Sequence, residues 1–450
     1  MSRLCSLVLT LVTAFFPAFA AGHTLLLISI DGMRPDYVLQ ADAHGLKIPN
    51  LRRILRDGAH ATGARGVLPT VTYPSHTTIV TGVWPAKHRI VSNQTFDPLG
   101  LNFEGWYWYA EDIAVPTLWG AAAKAGLSVG SVSWPVTVGA TGIRYNVPEY
   151  WRSMKSSDDL KLQRAVSTPG LVAEIAKDAG PYRVDLENAI PTDQARTRYA
   201  VWILRHEKPQ FMAVHLAALD HLQHVTGPFS AESDGALEQI DGMVGQLEDA
   251  MRSAWPDMAV CIVSDHGFAR IDHTLNLMKP FAENGLVTLG QGAGFRGAPL
   301  VVDWKAIPKP DGGSAAIILK DSHDDATRAK VNRLLHDLAA DPANGIAGVL
   351  DRKQIAAMGG NPQAAFWVTM RSGFSVGNST GPLVSATKGG THGYAPTNPD
   401  MLASFFMAGP GVRQGANLGE IDMRGIAPTV AAYLGFPFPS ADLKALPAFR

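Results

Sequence analysis

Leu25-Leu26-Leu27-Ile28-Ser29-Ile30-Asp31-Gly32 decides how this chain is read: a strand-length apolar run that ends on an acid and a glycine. The same form returns twice. Residues 211–219 are almost wholly apolar and stop at Asp220, with His224 four residues on. Residues 259–264 stop at Asp265-His266-Gly267. Continuous apolar runs of this length are how strands buried on both faces read. In open α/β sheets, ligands bind beyond the carboxyl ends of the strands. Three acids at three such ends therefore point to one shared site.

Working outward, strand patterns at 23–30, 127–133, 211–217, 258–263 and 402–407 alternate with helical patterns. The helices are expected at 48–56, 74–81, 117–125, 192–206, 231–253, 326–339 and 424–433. That alternation predicts an α/β fold, a central mostly parallel sheet with helices on both faces. Two stretches are less regular. Residues 96–163 are rich in aromatics (Trp106, Tyr107, Trp108, Tyr109, Trp119, Trp134, Tyr145, Tyr150 and Trp151) and read as loops over the site. Residues 284–382 carry Gly and Pro clusters with short strands near 315–319 and 365–370, and read as a smaller inserted lobe. Its return to the sheet brings in His392 within Thr391-His392-Gly393-Tyr394.

The chain has 450 residues, above the usual size of a single core, which favours one large domain with insertions. A formal net charge of −1 makes no electrostatic case for a nucleic-acid polymer or a membrane surface as partner. No protein partner is implied. Residues 1–20 read as a secretory signal: Arg3, an apolar stretch at 7–19, and Ala18-Phe19-Ala20 as the cleavage site. Residues 21–450 then form the catalytic domain, with no stable membrane anchor after cleavage. Cys5 leaves with the signal, so the mature chain keeps Cys261 alone and has no internal disulfide. A bacterial periplasmic enzyme fits that pattern better than a disulfide-stapled secreted domain.

The three Asp and three His supply N and O ligands of the kind zinc accepts. Asp220 and His224, one helical turn apart, share a side, and His392 completes three ligands to one ion. Asp31, Asp265 and His266 offer three to a second, leaving a place for the Thr72 oxygen. Two such ions can clamp the attacking and leaving oxygens of an in-line displacement. A threonine hydroxyl is a poor nucleophile without a metal or a base. A helix opening at Pro74 would aim its amides at an anion held by Thr72. Tyr73 beside the nucleophile, with Tyr150 or Trp151 opposite, would form the walls of a substrate pocket.

Taken together, these stretches resemble the nucleotide pyrophosphatase/phosphodiesterase family of the alkaline phosphatase superfamily. The likeness rests on residues 28–37, on Pro69-Thr70-Val71-Thr72-Tyr73-Pro74-Ser75-His76, on 79–82, and on His88-Arg89-Ile90-Val91-Ser92-Asn93. It continues through Asp220 to Gly227-Pro228, Ser264-Asp265-His266-Gly267 and His392-Gly393-Tyr394, from about residue 23 to about 441. It implies an alkaline phosphatase-like fold and two zinc ions, one on Asp220, His224 and His392, the other on Asp31, Asp265 and His266. Thr72 looks like the nucleophile and a ligand of the second ion, and Asn93 like the neutral donor to a phosphoryl oxygen. Ser75 stands where the family usually has Asn, residues 217–219 lack its usual proline or acid, and Val136 follows Trp134-Pro135 where glycine is common. These departures bear on substrate preference, not on the proposed ligands.

The expected activity is hydrolysis of phosphodiester or pyrophosphate bonds in small substrates, nucleotides included, through a phosphothreonine on Thr72. A monoesterase of the superfamily would carry Lys-x-Arg where this chain has Trp134-Pro135-Val136. A sulfatase would need a modified Cys or Ser in a Cys/Ser-x-Pro-x-Arg setting, which residues 72–76 lack. A metal-stabilised binding protein without catalysis is the non-enzyme alternative, and the retained ligands and nucleophile argue against it.

Overall fold

The computed structural model describes residues 23–449 apart from 103–104, 154, 185–188 and 294–298. The expected leader at 1–20 lies outside the described residues. At the centre is an eight-stranded sheet. Its order is Ala416–Asn417, Ala59–His60, Phe405–Ala408, Ala259–Val263, Leu25–Ile30, Phe211–Leu216, Val129–Val132 and Tyr145–Val147. Phe405–Ala408 runs antiparallel to both neighbours, and the remaining pairings are parallel.

Leu25–Ile30 is the strand on which the rest is built. Leu26, Ile28 and Ile30 face a core shared with helices Pro49–Asp57, Leu171–Ala179, Ala189–His206 and Ala231–Ala254. Leu25 and Leu27 face the opposite core, built with Thr72–Thr81, Leu118–Lys124 and Ile426–Leu434. Each of these five side chains is fully buried, which contributes roughly 2 kcal/mol apiece relative to exposure. With both faces apolar, alternation alone does not fix the register. The polar end does: sliding Asp31 one place inward would bury a carboxylate among apolar side chains, at a cost of several kcal/mol. In the observed register Ile30 lies opposite Leu216, and the Asp31 N–H donates to the Leu216 carbonyl at 2.9 Å.

The expected elements form with end shifts of a few residues, and the departures are local. The helix expected from Pro74 begins at Thr72. The stretch at 96–163 is not all loop: Tyr145–Val147 extends the central sheet, and Trp119 and Trp134 are buried in the core beneath it. A second, antiparallel sheet of Ala306–Pro310, Ser314–Leu319, Ala364–Met370 and Ile346–Asp351 lies under helix Asp325–Ala340, with its own apolar core. From it the chain returns through Val384–Ala386 and Gly390–Thr391, both paired with Ala269–Asn276, to His392. Among the described residues no helix is long and apolar enough to cross a membrane.

Candidate active site

Each acid follows the end of a strand, directly or within one turn. Asp31 follows Leu25–Ile30, and Gly32 turns the chain at φ 69°, where an added Cβ would lie 2.9 Å from the Gln223 side chain. The Gly32 N–H donates to Asp265 Oδ1 at 3.1 Å, which ties the ends of neighbouring strands together. Asp220 and His224 lie one turn apart on helix Ala218–Thr226. The start of that helix is held by Asp193, which accepts from the Ala217 and Ala218 amides at 3.1 and 2.8 Å. His392 is fixed from behind by the second sheet: a Cβ on Gly393, at φ 86°, would stand 1.7 Å from the Asp311 carbonyl.

The fold brings the six predicted ligands together. Asp31, Asp265 and His266 form one tight group, and Asp220, His266 and His392 another, with ligand atoms within 4.8 Å of one another in each. His266 stands between the two, its ring stacked on His392 with centroids 3.7 Å apart. His224 is at the rim, with Nε2 3.5 Å from Asp220 Oδ2 and its ring edge-on to His392 at 5.1 Å. The expected Asp220–His224–His392 set is thus looser than the group in which His266 takes the place of His224.

Two features of this cluster fit a bound cation. The Nδ1 atoms of His224, His266 and His392 lie 3.2, 3.0 and 3.1 Å from the carbonyls of Gly390, Gly267 and Thr70. A carbonyl only accepts, so each Nδ1 carries a hydrogen, and Nε2 is the nitrogen left to bind a metal. Second, Asp31 Oδ1, Asp220 Oδ1 and Asp265 Oδ2 are buried without a hydrogen-bond partner. Orphaned carboxylate oxygens are costly unless a cation or donor satisfies them. Burial, then the charges of Asp265 and Asp220, push Asp31 well above the usual carboxylate range. Burial also raises Asp220, against the pull of His224 and His266. Burial opposes the Asp265 charge too, yet His266 and His76 hold that group below the usual range. Oxygen and imidazole donors in this number suit zinc and neighbouring divalent metals.

Thr72 is the first residue of its helix, nearly buried, with Oγ1 3.5 Å from His266 Nε2. Asn93 accepts from the Tyr73 amide through Oδ1 at 2.8 Å, so its amide nitrogen is the donor it has left to offer. This changes the expected role of the helix amides. Tyr73 N–H is taken by Asn93, Pro74 has none, and Ser75 N–H donates to the Val71 carbonyl at 3.1 Å. The helix amides of residues 73–75 are therefore not available to an anion at Thr72, whereas the Asn93 side-chain nitrogen can donate to one.

A cavity of about 250 Å³ opens beside Thr72, lined by Tyr73, Asn93, Trp106, Trp151, His221, His224 and the ligand acids Asp31 and Asp220, among others. A larger cavity of about 480 Å³, between residues 94–100 and the second sheet, touches none of the six clustered ligands. Of the expected walls, Tyr73 and Trp151 line the smaller cavity and Tyr150 does not. Tyr150 packs behind it on Trp108, centroids 5.2 Å apart, and Trp106 takes the wall position. The Tyr73 hydroxyl donates to Glu149 Oε2 at 3.1 Å, so this ring is braced rather than free to swing.

Sequence reasoning missed the charged floor. Glu149, Asp193 and Arg196 line the same cavity although each is less than one-tenth exposed. Arg196 pairs with Asp193 at 2.9 Å and approaches Glu149 at 3.8 Å. Burial pushes Glu149 up to about 7, against the opposing pull of Arg196 and the Tyr73 hydroxyl. Behind the cluster, His215 Nε2 lies 3.0 Å from Asp31 Oδ2. A sequence signal existed for the pair on helix Ala189–His206. Asp193 and Arg196 are in helical phase with Tyr199, Ala200 and Ile203, so they share its buried face.

Residues 25–395 match the family model described as Type I phosphodiesterase / nucleotide pyrophosphatase. Human ectonucleotide pyrophosphatase/phosphodiesterase family member 1 is 27% identical over 263 residues, 56% of this chain and 24% of that protein. The venom phosphodiesterase of Macrovipera lebetinus is 26% identical over 258 residues, 55% of this chain and 26% of that protein. The chain thus spans about a quarter of the length of these relatives. Among solved structures, murine ectonucleotide pyrophosphatase/phosphodiesterase 5, an inactive form in complex with AMP, superposes with TM-score 0.65 at 17% identity. The match covers 94% of this chain and 97% of that one. The human protein of the same name gives 0.64 at 19% identity over 94% and 96%. Those likenesses establish an alkaline phosphatase-like fold, and with a family match running from the first strand to the last ligand histidine, this chain belongs to the type I phosphodiesterase/nucleotide pyrophosphatase family.

Proposed function

We propose that this chain is a two-zinc phosphodiesterase of nucleotide pyrophosphatase type, acting through an esterified phosphothreonine on Thr72. The observation that carries it is the setting of Thr72. Its hydroxyl stands 3.5 Å from the His266 ring that belongs to both ligand groups, with Asn93 bonded to the next residue's amide. Asp220, His224 and His392 would hold one ion, and Asp31, Asp265 and His266 with the Thr72 oxygen the other. When bound, the ions supply the Lewis-acid charge that activates an oxygen nucleophile and stabilises a leaving oxygen.

Thr72 Oγ1 forms its bond to phosphorus as the opposite P–O bond breaks, and the hydroxyl proton is lost to solvent or base. An alcohol or a phosphate leaves, and Thr72 keeps the phosphoryl group with its second ester. Water then cleaves the Oγ1–P bond and restores the hydroxyl. Two in-line displacements retain configuration at phosphorus. Asn93 donates to an equatorial oxygen, where charge stabilisation is the main catalytic demand. Trp106 and Trp151 offer faces to a base or aryl group, and the neutral Asn93 suits a diester better than a dianionic monoester. The AMP held by murine family member 5 supports a nucleotide as one such group. We read 1–20 as an export leader, the periplasm as the place of action, and 284–382 as a smaller inserted lobe.

The test is a substrate panel. The p-nitrophenyl ester of thymidine monophosphate and bis-p-nitrophenyl phosphate are expected to show higher kcat/KM than p-nitrophenyl phosphate. A higher value on the monoester overturns the diester assignment.

A further inference from the structure

We propose that His215 is a positioning residue, resting on the two-ion reading above, that aims the Asp31 carboxylate at its ion. His215 lies in the strand Phe211–Leu216, in register with Ser29, two residues before Asp31. Side chains two apart on a strand share a face, so the ring reaches the Asp31 carboxylate from the neighbouring strand. Its Nε2 is 3.0 Å from Asp31 Oδ2, while Asp31 Oδ1 is the oxygen without a hydrogen-bond partner. An ionised, metal-bound Asp31 can only accept, so the hydrogen belongs to His215. The two oxygens thus have different tasks: Oδ2 is held from behind and Oδ1 is left for the ion.

The ring is itself fixed. Nδ1 stands 3.1 Å from the Ser133 carbonyl, and the ring meets His76 edge-on, centroids 4.5 Å apart. His215 is fully buried and does not line the cavity, so it has no access to substrate. A buried histidine whose N–H is given to one oxygen of a would-be ligand is the arrangement by which an outer partner orients a metal-binding carboxylate. Loss of such a partner costs roughly 10- to 100-fold in metal affinity.

The decisive readout is zinc affinity, measured by chelator competition on the purified chain. In His215→Asn the shorter amide no longer reaches Asp31. One of two bound zinc ions is expected to weaken by roughly 10- to 100-fold while the other is unchanged. In His215→Gln the longer amide reaches Asp31 and is expected to restore most of that affinity. KM for bis-p-nitrophenyl phosphate should stay near wild type in both. If His215→Asn binds both ions as tightly as wild type, the positioning role is wrong. If His215→Asn does not fold, His215→Gln decides alone: a tenfold or greater loss in a folded His215→Gln protein overturns the role. A wild-type chain that binds fewer than two ions overturns the two-ion reading instead.

Discussion

The two sides of the cavity differ in how they are built. On the ligand side, Asp31, Asp220 and Asp265 each follow a strand of the central sheet, directly or within one turn, and each keeps one buried carboxylate oxygen without a hydrogen-bond partner. On the other side, Glu149, Asp193 and Arg196 bind one another and the Tyr73 hydroxyl. The first side is open-valenced and the second largely self-satisfied. A site that must take up cations and an anion needs the former. The latter keeps Tyr73, and through its amide Asn93, in place. On the proposed reading, the ligand side carries the chemistry and the charged floor sets the geometry.

The sharpest way to break that division is at the nucleophile. Thr72→Ala is expected to lower kcat on bis-p-nitrophenyl phosphate by more than about 1000-fold, with folding and zinc content retained. Substantial residual turnover would move the nucleophile to water. Asn93→Ala should lower kcat by roughly 100- to 1000-fold with little change in KM, the scale of a lost donor to a developing anion.

The charged floor should respond to pH rather than chemistry. Burial raises Glu149 from 4.5 to about 7 in the folded chain. Across that window the folded protein holds a proton the unfolded chain has released, so this group's contribution makes stability fall as pH rises. The loss reaches up to about 3 kcal/mol by pH 7. Glu149→Gln removes the titration, and its melting temperature relative to wild type should therefore improve from pH 4.5 to 7. A constant offset across the window would mean that Glu149 titrates alike in both states. The smallest effect belongs to the wall: Trp106→Ala should raise KM for the nucleotide ester by about tenfold and leave kcat largely unchanged.

The same contrast explains what was legible in the chain. Asp31, Asp220 and Asp265 stood out because an apolar run ending on an acid is a local pattern with one geometric meaning in a parallel sheet. Thr72 followed from the need for a nucleophile near them, and Asn93 only from family resemblance. Pro74 suits a first helical position and so points to a start there, whereas the helix begins at Thr72 and Pro74 occupies its third position. Glu149 lies within an aromatic stretch, and Asp193 and Arg196 stand three apart on a helix, a spacing that solvent-exposed ion pairs share. Their burial depends on helix Ala189–His206 packing on strand Phe211–Leu216 and on the approach of Arg196 to Glu149, which no local window contains. Tyr150 shows the converse: proximity in sequence to Trp151 did not place it on the cavity, since the neighbouring side chain packs behind Trp108.

The central claim is that Thr72 carries the phosphoryl group between the two displacements. Acid quenching during steady-state turnover of the p-nitrophenyl ester of thymidine monophosphate, followed by mass spectrometry of the peptide containing Thr72, tests it directly. The account predicts a thymidylyl group on Thr72, present in wild type and missing in Thr72→Ala. An unmodified Thr72 under conditions where turnover is limited by the second displacement, or the adduct on another residue, would contradict it.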